Sequence, residues 1–133
     1  MPQIRYSSTT VDAQTDAVCS QLNDGYLQLY EGAQPIDGDA PIDGSTLLVE
    51  LRFSDPAFGP SDAGTAWANA IAPALATNTG TASWLRTLRS DHSTVVFDGD
   101  VDTAGAVLNL DHTLIQALAN VIISDFSYVS PKA

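Results

Sequence analysis

The hydrophobic positions of this chain follow a helical period near the N-terminus and a period of two over most of the remaining residues. Residues 9–23 predict one helix, and its narrow apolar stripe consists of Val11, Val18 and Leu22. Thr9 or Thr10 can cap the start of this helix, and Asp12 is predicted to lie in its first turn. Gly25 is free to take the left-handed conformation that ends a helix.

After Gly25 the period of two predicts a series of short strands. The predicted strands span residues 26–30, 46–54, 65–71, 80–89, 94–98, 107–110 and 121–129. Residues 90–93 predict a hairpin loop between the fourth and fifth of these strands. Residues 114–119 fit either a helical turn or a continued strand, so both alternatives stay open.

Short strands separated by turns that contain Gly, Pro and Asp predict a mainly β fold with one N-terminal helix. The expected architecture is an antiparallel β-sandwich, jelly-roll or immunoglobulin-like, or a partly closed barrel. The length of 133 residues fits a single compact domain, with an arm and helix at 1–24 and the sandwich at 25–133. The predicted core consists of Leu47, Val49, Leu51, Phe53, Val96, Leu108, Leu110, Ile122 and Phe126.

Two long loops interrupt the strands. The first, residues 31–45, contains a local duplication, Pro-Ile-Asp-Gly at 35–38 and again at 41–44. Each copy predicts a turn, because proline fixes φ and the glycine accepts a positive φ. The second loop, residues 54–64, carries Phe58 between two prolines, and this side chain is predicted either to join the core or to anchor a partner.

The charge of the chain excludes several classes of partner. Its 16 acidic and 5 basic residues give a net charge of −11, and 14 of the acids are Asp. The basic patch that nucleic acids or anionic membrane surfaces require is absent, so neither is an expected partner. The N-terminus lacks the apolar segment of a signal peptide, and no apolar run is long enough to cross a bilayer. We therefore expect synthesis in the cytoplasm and a soluble product.

The sequence contains no pattern typical of catalysis or of a bound cofactor. Asp98, Asp100 and Asp102 alternate as at the start of an EF-hand loop, but the required Gly and Glu are replaced by Thr103 and Asn109. His92 and His112 show no ligand spacing, and no nucleophile elbow or phosphate-binding loop occurs. Cys19, the only cysteine, is predicted to be a small buried side chain. We therefore predict a protein that is not an enzyme and binds no metal or cofactor. A structural calcium or sodium ion held in a geometry other than that of an EF-hand is the alternative.

Aromatic side chains are the best candidates for contacts with a partner. Tryptophan and tyrosine contribute strongly to protein interfaces and stack on sugar rings. The candidates are Trp67, Trp84, Phe58, Tyr26 and Tyr30. Trp84 alternates with Ala82 and Arg86, which predicts that its face lies away from the deepest core. Burial of both tryptophans in the core is the alternative.

Five segments resemble small β-rich virion proteins of tailed bacteriophages and related gene-transfer particles. They are GYLQLYEGAQP at 25–35, FSDPAFG at 53–59, GTASWLRTLRSD at 80–91, VVFDGDV at 95–101 and AVLNLD at 106–111. They occur in this order along the chain, and the resemblance as a whole extends over residues 25–129.

The resemblance implies a structural component of the particle, one that decorates or cements the capsid, without catalytic residues to carry over. The expected partners are the major capsid protein or other virion proteins, and the expected location is the capsid surface. Threefold axes of a capsid favour a homotrimer whose N-terminal segment reaches neighbouring molecules. A component of the tail or of the head–tail connector is one alternative, and a carbohydrate-binding module using Trp67 and Trp84 is another.

Overall fold

A computed structural model describes residues 3–130 of the chain. Its helix α1 spans Ser8–Ser20, and the Oγ of Ser7 caps it by accepting a hydrogen bond from the backbone N of Thr10 at 3.2 Å. The helix therefore begins before the predicted cap, and Asp12 lies beyond its first turn. Asp12 instead accepts a hydrogen bond from the backbone N of Gly64 at 2.7 Å, which ties the helix to the sandwich.

The helix packs through a stripe that differs from the predicted one. Val11, Thr15 and Cys19 are buried, whereas Val18 is only half-buried. The left-handed residue that follows the helix is Asp24, with φ 57°, and not Gly25. Gly25 is required for another reason, since a Cβ there would lie 2.4 Å from the carbonyl oxygen of Leu88 on a neighbouring strand.

The strands form one five-stranded sheet and three two-stranded ribbons. The sheet contains β1 (Tyr26–Glu31), β2 (Thr46–Arg52), β6 (Trp84–Leu88), β7 (Val95–Asp102) and β8 (Leu108–Asn109). The ribbons contain β3 (Thr65–Trp67), β4 (Ala74–Leu75), β5 (Gly80–Thr81), β9 (Leu114–Ile115), β10 (Asn120–Val121) and β11 (Ser127–Val129). The order in the sheet is β2-β1-β6-β7-β8, and the ribbons pair β3 with β11, β4 with β10 and β5 with β9. All pairs are antiparallel except β7 with β8.

The hydrophobic core lies between one face of the five-stranded sheet and a second layer made by the ribbons and α1. The sheet contributes Leu27 and Leu85, and the second layer contributes Ala66, Ile115 and Phe126. The predicted mainly β, sandwich-type fold with one N-terminal helix is therefore confirmed. The hairpin loop predicted at 90–93 also joins β6 to β7, closed by a hydrogen bond from Arg89 N to Thr94 O at 2.9 Å.

A β-bulge explains one error in the predicted core. The register between β1 and β2 shifts after Leu29, so that Leu29 faces Val49 and Tyr30 faces Leu47. Leu48 is the extra residue at this shift, and it is fully buried, whereas Leu47 is only half-buried. Simple alternation places Leu47 in the core and Leu48 outside it, because alternation holds only while the pairing is regular.

The strand predicted at 121–129 is two short strands with an irregular segment between them. Ile122 is 62% exposed, whereas its neighbour Ile123 is 8% exposed and belongs to the core, so the assignment of Ile122 to the core is wrong. Val96 and Leu110 only flank the core. The predicted strand at 80–89 is likewise interrupted at residues 82–83, and the alternatives at 114–119 resolve into β9 followed by a turn.

Candidate functional site

Two of the predicted contact residues, Trp84 and Tyr30, are buried in the isolated chain. They lie opposite each other on β6 and β1, and their rings stack with centroids 4.5 Å apart and planes 13° from parallel. Trp84 is fully buried and Tyr30 is 6% exposed. Trp84 does not belong to the hydrophobic core cluster, so its face lies away from the deepest core as predicted, but its side chain is nevertheless buried. Burial also raises the pKa of Tyr30.

A row of polar side chains crosses the same face of the sheet. Cross-strand pairing aligns Glu50, Gln28, Arg86 and Asp98 on β2, β1, β6 and β7 in that order. Gln28 donates from Nε2 to Glu50 Oε2 at 2.8 Å. Arg86 donates from Nε and Nη2 to the two oxygens of Asp98, at 2.7 and 2.9 Å, and these hydrogen bonds raise the pKa of Arg86. Both carboxylates of the row thus have a hydrogen-bond partner within it, and Arg86 neutralises Asp98.

The loop at residues 32–45, which we call the strap, covers this row. Arg86 donates from Nη2 to the carbonyl oxygen of Ala40 at 2.9 Å, and Trp84 donates from Nε1 to Ser45 Oγ at 3.2 Å. The two Pro-Ile-Asp-Gly copies adopt different turns within the strap. Asp37 Oδ1 accepts from the backbone N of Asp39 and Ala40, while Gly44 has φ 72°. We call the covered side of the sheet the strapped face.

Tyr26 lies at the border of the strapped face and is partly accessible. Its ring contacts His92, with centroids 4.3 Å apart, and the guanidinium of Arg52 lies 4.9 Å from its centroid. His92 Nε2 lies 2.6 Å from Glu50 Oε2. These contacts fix Tyr26 within the chain and connect the 90–93 hairpin to the polar row.

Phe58 is the fourth predicted contact residue, and it joins the core. It is 6% exposed and packs against Phe53 and Phe126, with centroid distances of 5.7 and 5.8 Å. Cys19 is buried nearby, as predicted. Burial, followed by the charge of Asp16, raises the pKa of Cys19 to about 12, so its thiol stays protonated at neutral pH.

The alternating acids of β7 make separate contacts instead of converging. Asp98 pairs with Arg86, Asp100 Oδ1 accepts from Val107 N at 2.9 Å, and Asp102 Oδ1 accepts from Thr103 N at 2.7 Å. An extended strand holds these carboxylates along its length, unlike a loop that curls around an ion. Within residues 3–130, no group of three or more His, Cys, Asp or Glu side chains is placed to hold a metal ion.

The side of the molecule formed by β8, β9, β10 and the segments around them has an open groove. Its larger part has a volume of about 510 Å³, and its walls include Leu114 and Ile122, which are 59% and 62% exposed. Asp111, Asp125 and His112 are the charged or titratable groups in these walls. Leu118, on the turn before β10, and Leu75, on β4, are also exposed. The second layer thus presents apolar side chains to solvent.

A smaller part of about 350 Å³ continues the groove toward Trp67. Trp67 is 60% exposed, and it lines this part together with Asn109, Asp111 and Asp125. The last three residues also line the larger part, so the two parts are adjacent and share a wall. We call both parts together the groove. Of the five predicted contact residues, Trp67 is the one that lines it.

Sequence reasoning missed the other groove residues because they lie in short, irregular segments. One signal was available in the adjacent pair Ile122 and Ile123. Consecutive side chains of an extended segment point to opposite sides, so one of two adjacent isoleucines in such a segment faces away from the core. Leu118 carries no comparable signal, since its φ of 69° is unusual for leucine and cannot be read from hydrophobicity.

No known family, curated protein or solved structure that was compared with the chain matches it. Within the described residues, the helix is neither long nor apolar enough to pass through a membrane.

Proposed function

We propose that this protein is a non-enzymatic structural component of a tailed-phage particle, a capsid decoration protein that binds the outside of the head shell. The five sequence segments that resemble small virion proteins support the assignment to a particle. The observation that carries the binding role is the groove, where Leu114, Ile122 and Trp67 are each more than half exposed. Exposed apolar side chains gathered in one concave region are typical of surfaces that other proteins cover.

The charge of the chain is compatible with this role. At −11, copies repel one another and stay soluble, so assembly depends on specific apolar contacts. A shell offers many equivalent sites, and an oligomer that engages several of them gains affinity without strong binding at each one. A homotrimer on a threefold axis, with the major capsid protein or another virion protein as its partner, is the proposed arrangement.

Labelling of the particle tests the proposed location. Antibody-bound gold against this protein is expected at regular positions over the head of particles from an infected host. Labelling confined to the tail or connector would contradict the decoration role and favour the alternative of a tail or connector component. Particles from a phage that lacks the gene serve as the control, since any label that they retain is nonspecific.

The second candidate function is carbohydrate binding, and the surroundings of Trp67 favour it. An exposed indole beside Asn109, Asp111 and Asp125 combines a stacking platform with side chains that accept hydrogen bonds from sugar hydroxyls. Trp84 is excluded from this role by its burial. Binding on a broad glycan array that Trp67→Ala abolishes and Trp67→Phe retains would establish it. An array without signal would count against it.

A further inference from the structure

The charged groups of the groove indicate the chemistry of its occupant. Asp111 and Asp125 line both of its parts, and no Arg or Lys among residues 3–130 does so. Neither aspartate accepts a hydrogen bond from any side chain or backbone group of residues 3–130. Leu114 and Ile122 provide apolar walls on the same side. The groove therefore fits an occupant that combines an apolar side chain with a positive charge.

The chain itself carries such a segment before α1. Residues 3–7, which we call the arm, contain Ile4, Arg5 and Tyr6 in succession. Ile4 is 67% exposed, and Arg5 donates from Nη2 only to Gln3 Oε1, at 3.1 Å within the arm itself. Among the described residues, the backbone of 3–6 forms no hydrogen bond with the sandwich. The arm thus holds unsatisfied apolar and basic groups.

Arg5 differs from the other arginines, each of which has a contact in the folded domain. Arg86 pairs with Asp98, and Arg52 lies over the ring of Tyr26. Arg89 donates to Gln21 Oε1 from Nε and Nη2. Within residues 3–130, Arg5 is therefore the cation that remains to complement the acids of the groove.

We propose that the groove receives the arm of a second copy of this chain. Arg5 then faces Asp111 and Asp125, and Ile4 packs against Leu114 and Ile122. The exposure of Ile4 shows that the arm does not occupy the groove of its own chain. Where the arm of each copy enters the groove of the next copy, the contact is head-to-tail, and such contacts form a ring when the rotation between copies closes. The proposal rests on the proposed function in one respect: it assigns the groove to the contact between copies of the proposed homotrimer.

Cross-linking between copies tests the pairing directly. A chain with Ile4→Cys is mixed with a chain carrying Ile122→Cys under oxidising conditions, and disulfide-linked dimers are resolved on a non-reducing denaturing gel. We expect efficient linkage in the mixture, because the pairing brings the two introduced thiols together. The native Cys19 does not compete with them, since it is buried and its thiol is protonated. The matched control replaces Ile4→Cys with Ala13→Cys on the exposed surface of α1.

Two results would overturn the proposal. One is linkage no more efficient than that of the Ala13→Cys control. The other is a disulfide that forms within single chains, independent of concentration, when Ile4→Cys and Ile122→Cys are combined in one chain. The second result would assign the arm to the groove of its own copy.

A charge exchange provides the second test, with self-association of the full chain measured by sedimentation. Arg5→Glu and the pair Asp111→Lys/Asp125→Lys are each expected to weaken association by about tenfold or more. Combining all three substitutions is expected to restore it. The pair Asp39→Lys/Asp43→Lys on the strap changes the net charge equally and is expected not to weaken association.

Loss of association in the strap variant equal to that in the groove variant, or no recovery in the combined variant, would refute specific pairing. Both experiments use purified protein without any particle. Particle labelling can therefore fail while the arm still pairs with the groove, which would contradict the proposed function alone. Pairing can equally fail while labelling succeeds, which would contradict the arm–groove proposal alone.

Discussion

The strapped face and the groove use similar residues in opposite ways. On the strapped face, Trp84 is fully buried, and Arg86 and Asp98 neutralise each other under the strap. In the groove, Trp67 is 60% exposed, and among the described residues no Arg or Lys lines its walls beside Asp111 and Asp125. On the strapped face, the aromatic and charged groups have their partners within the chain. In the groove, the corresponding groups remain accessible to another molecule.

This difference separates residues that stabilise the chain from residues that bind. Apolar surface removed from water on folding stabilises the native state, whereas exposed apolar surface gains free energy only when a partner covers it. Substitutions on the strapped face should therefore lower the free energy of unfolding. Substitutions in the groove should leave it nearly unchanged and alter association instead.

The largest contrast is expected between the two tryptophans. Trp84→Ala removes a fully buried ring that stacks on Tyr30, and we expect a loss of about 3–5 kcal/mol in the free energy of unfolding. Trp67→Ala is the matched control, with an expected change within about 0.5 kcal/mol. Urea denaturation followed by circular dichroism measures both. Equal losses in the two variants would contradict the conclusion that the strapped face stabilises the chain and the groove does not.

The adjacent isoleucines give the next contrast with identical chemistry. Ile123→Ala is expected to lower the free energy of unfolding by about 2–4 kcal/mol, because it opens a cavity in the core. Ile122→Ala should change it by no more than about 0.5 kcal/mol. The same urea titration measures both variants. A larger loss for Ile122→Ala than for Ile123→Ala would show that Ile122, and not Ile123, faces the core.

A smaller loss is expected when the ion pair is broken. Asp98→Ala leaves the guanidinium of Arg86 under the strap with only the Ala40 carbonyl as a partner, and we expect a loss of about 2 kcal/mol. The double variant Arg86→Met/Asp98→Leu removes both charges and is expected to be closer to the original protein. Thermal unfolding distinguishes the two. A double variant that is less stable than Asp98→Ala would contradict the idea that the unpaired charge of Arg86 causes the loss of stability in Asp98→Ala.

The effect that is smallest at neutral pH is the pH dependence contributed by Cys19. Burial raises its pKa in the folded protein to about 12, above its ordinary value of 9.0, so unfolding releases the thiol proton at pH values between the two. The unfolded state then binds fewer protons than the folded one, and stability falls as pH rises through this range. Tyr30, whose pKa is also raised, contributes in the same direction. Stability of the original protein and of Cys19→Ala, measured from pH 8 to 11, should show a shallower decline in the variant. Parallel curves would contradict this contribution.

Regular pairing accounts for what the sequence predicts correctly. Alternation and turn residues predict strands β1, β2 and β7 and the 90–93 hairpin. Each of these elements either pairs with a neighbour that is close in sequence or has a long alternating pattern. The sandwich-type fold follows from the number and spacing of such strands. Local patterns of this kind carry no information about what covers the outer face of a sheet.

That missing information explains the errors at the candidate site. Trp84 alternates with Arg86, which indicates a face away from the core, but the strap, from a distant part of the sequence, buries both side chains on that face. Leu48 enters the core through a bulge that depends on the register of β1. The groove is formed by residues 109–125 with Trp67, and its shape depends on ribbons of two or three residues per strand, which are too short to show a period.

A near-atomic reconstruction of the assembled particle tests most directly whether the groove is the binding region and the strapped face is not. The account predicts that this protein occupies regular sites on the head, with Leu114 and Ile122 covered by protein and the strap facing solvent. A reconstruction in which the groove faces solvent at every site, while the strap forms the contacts, would contradict it.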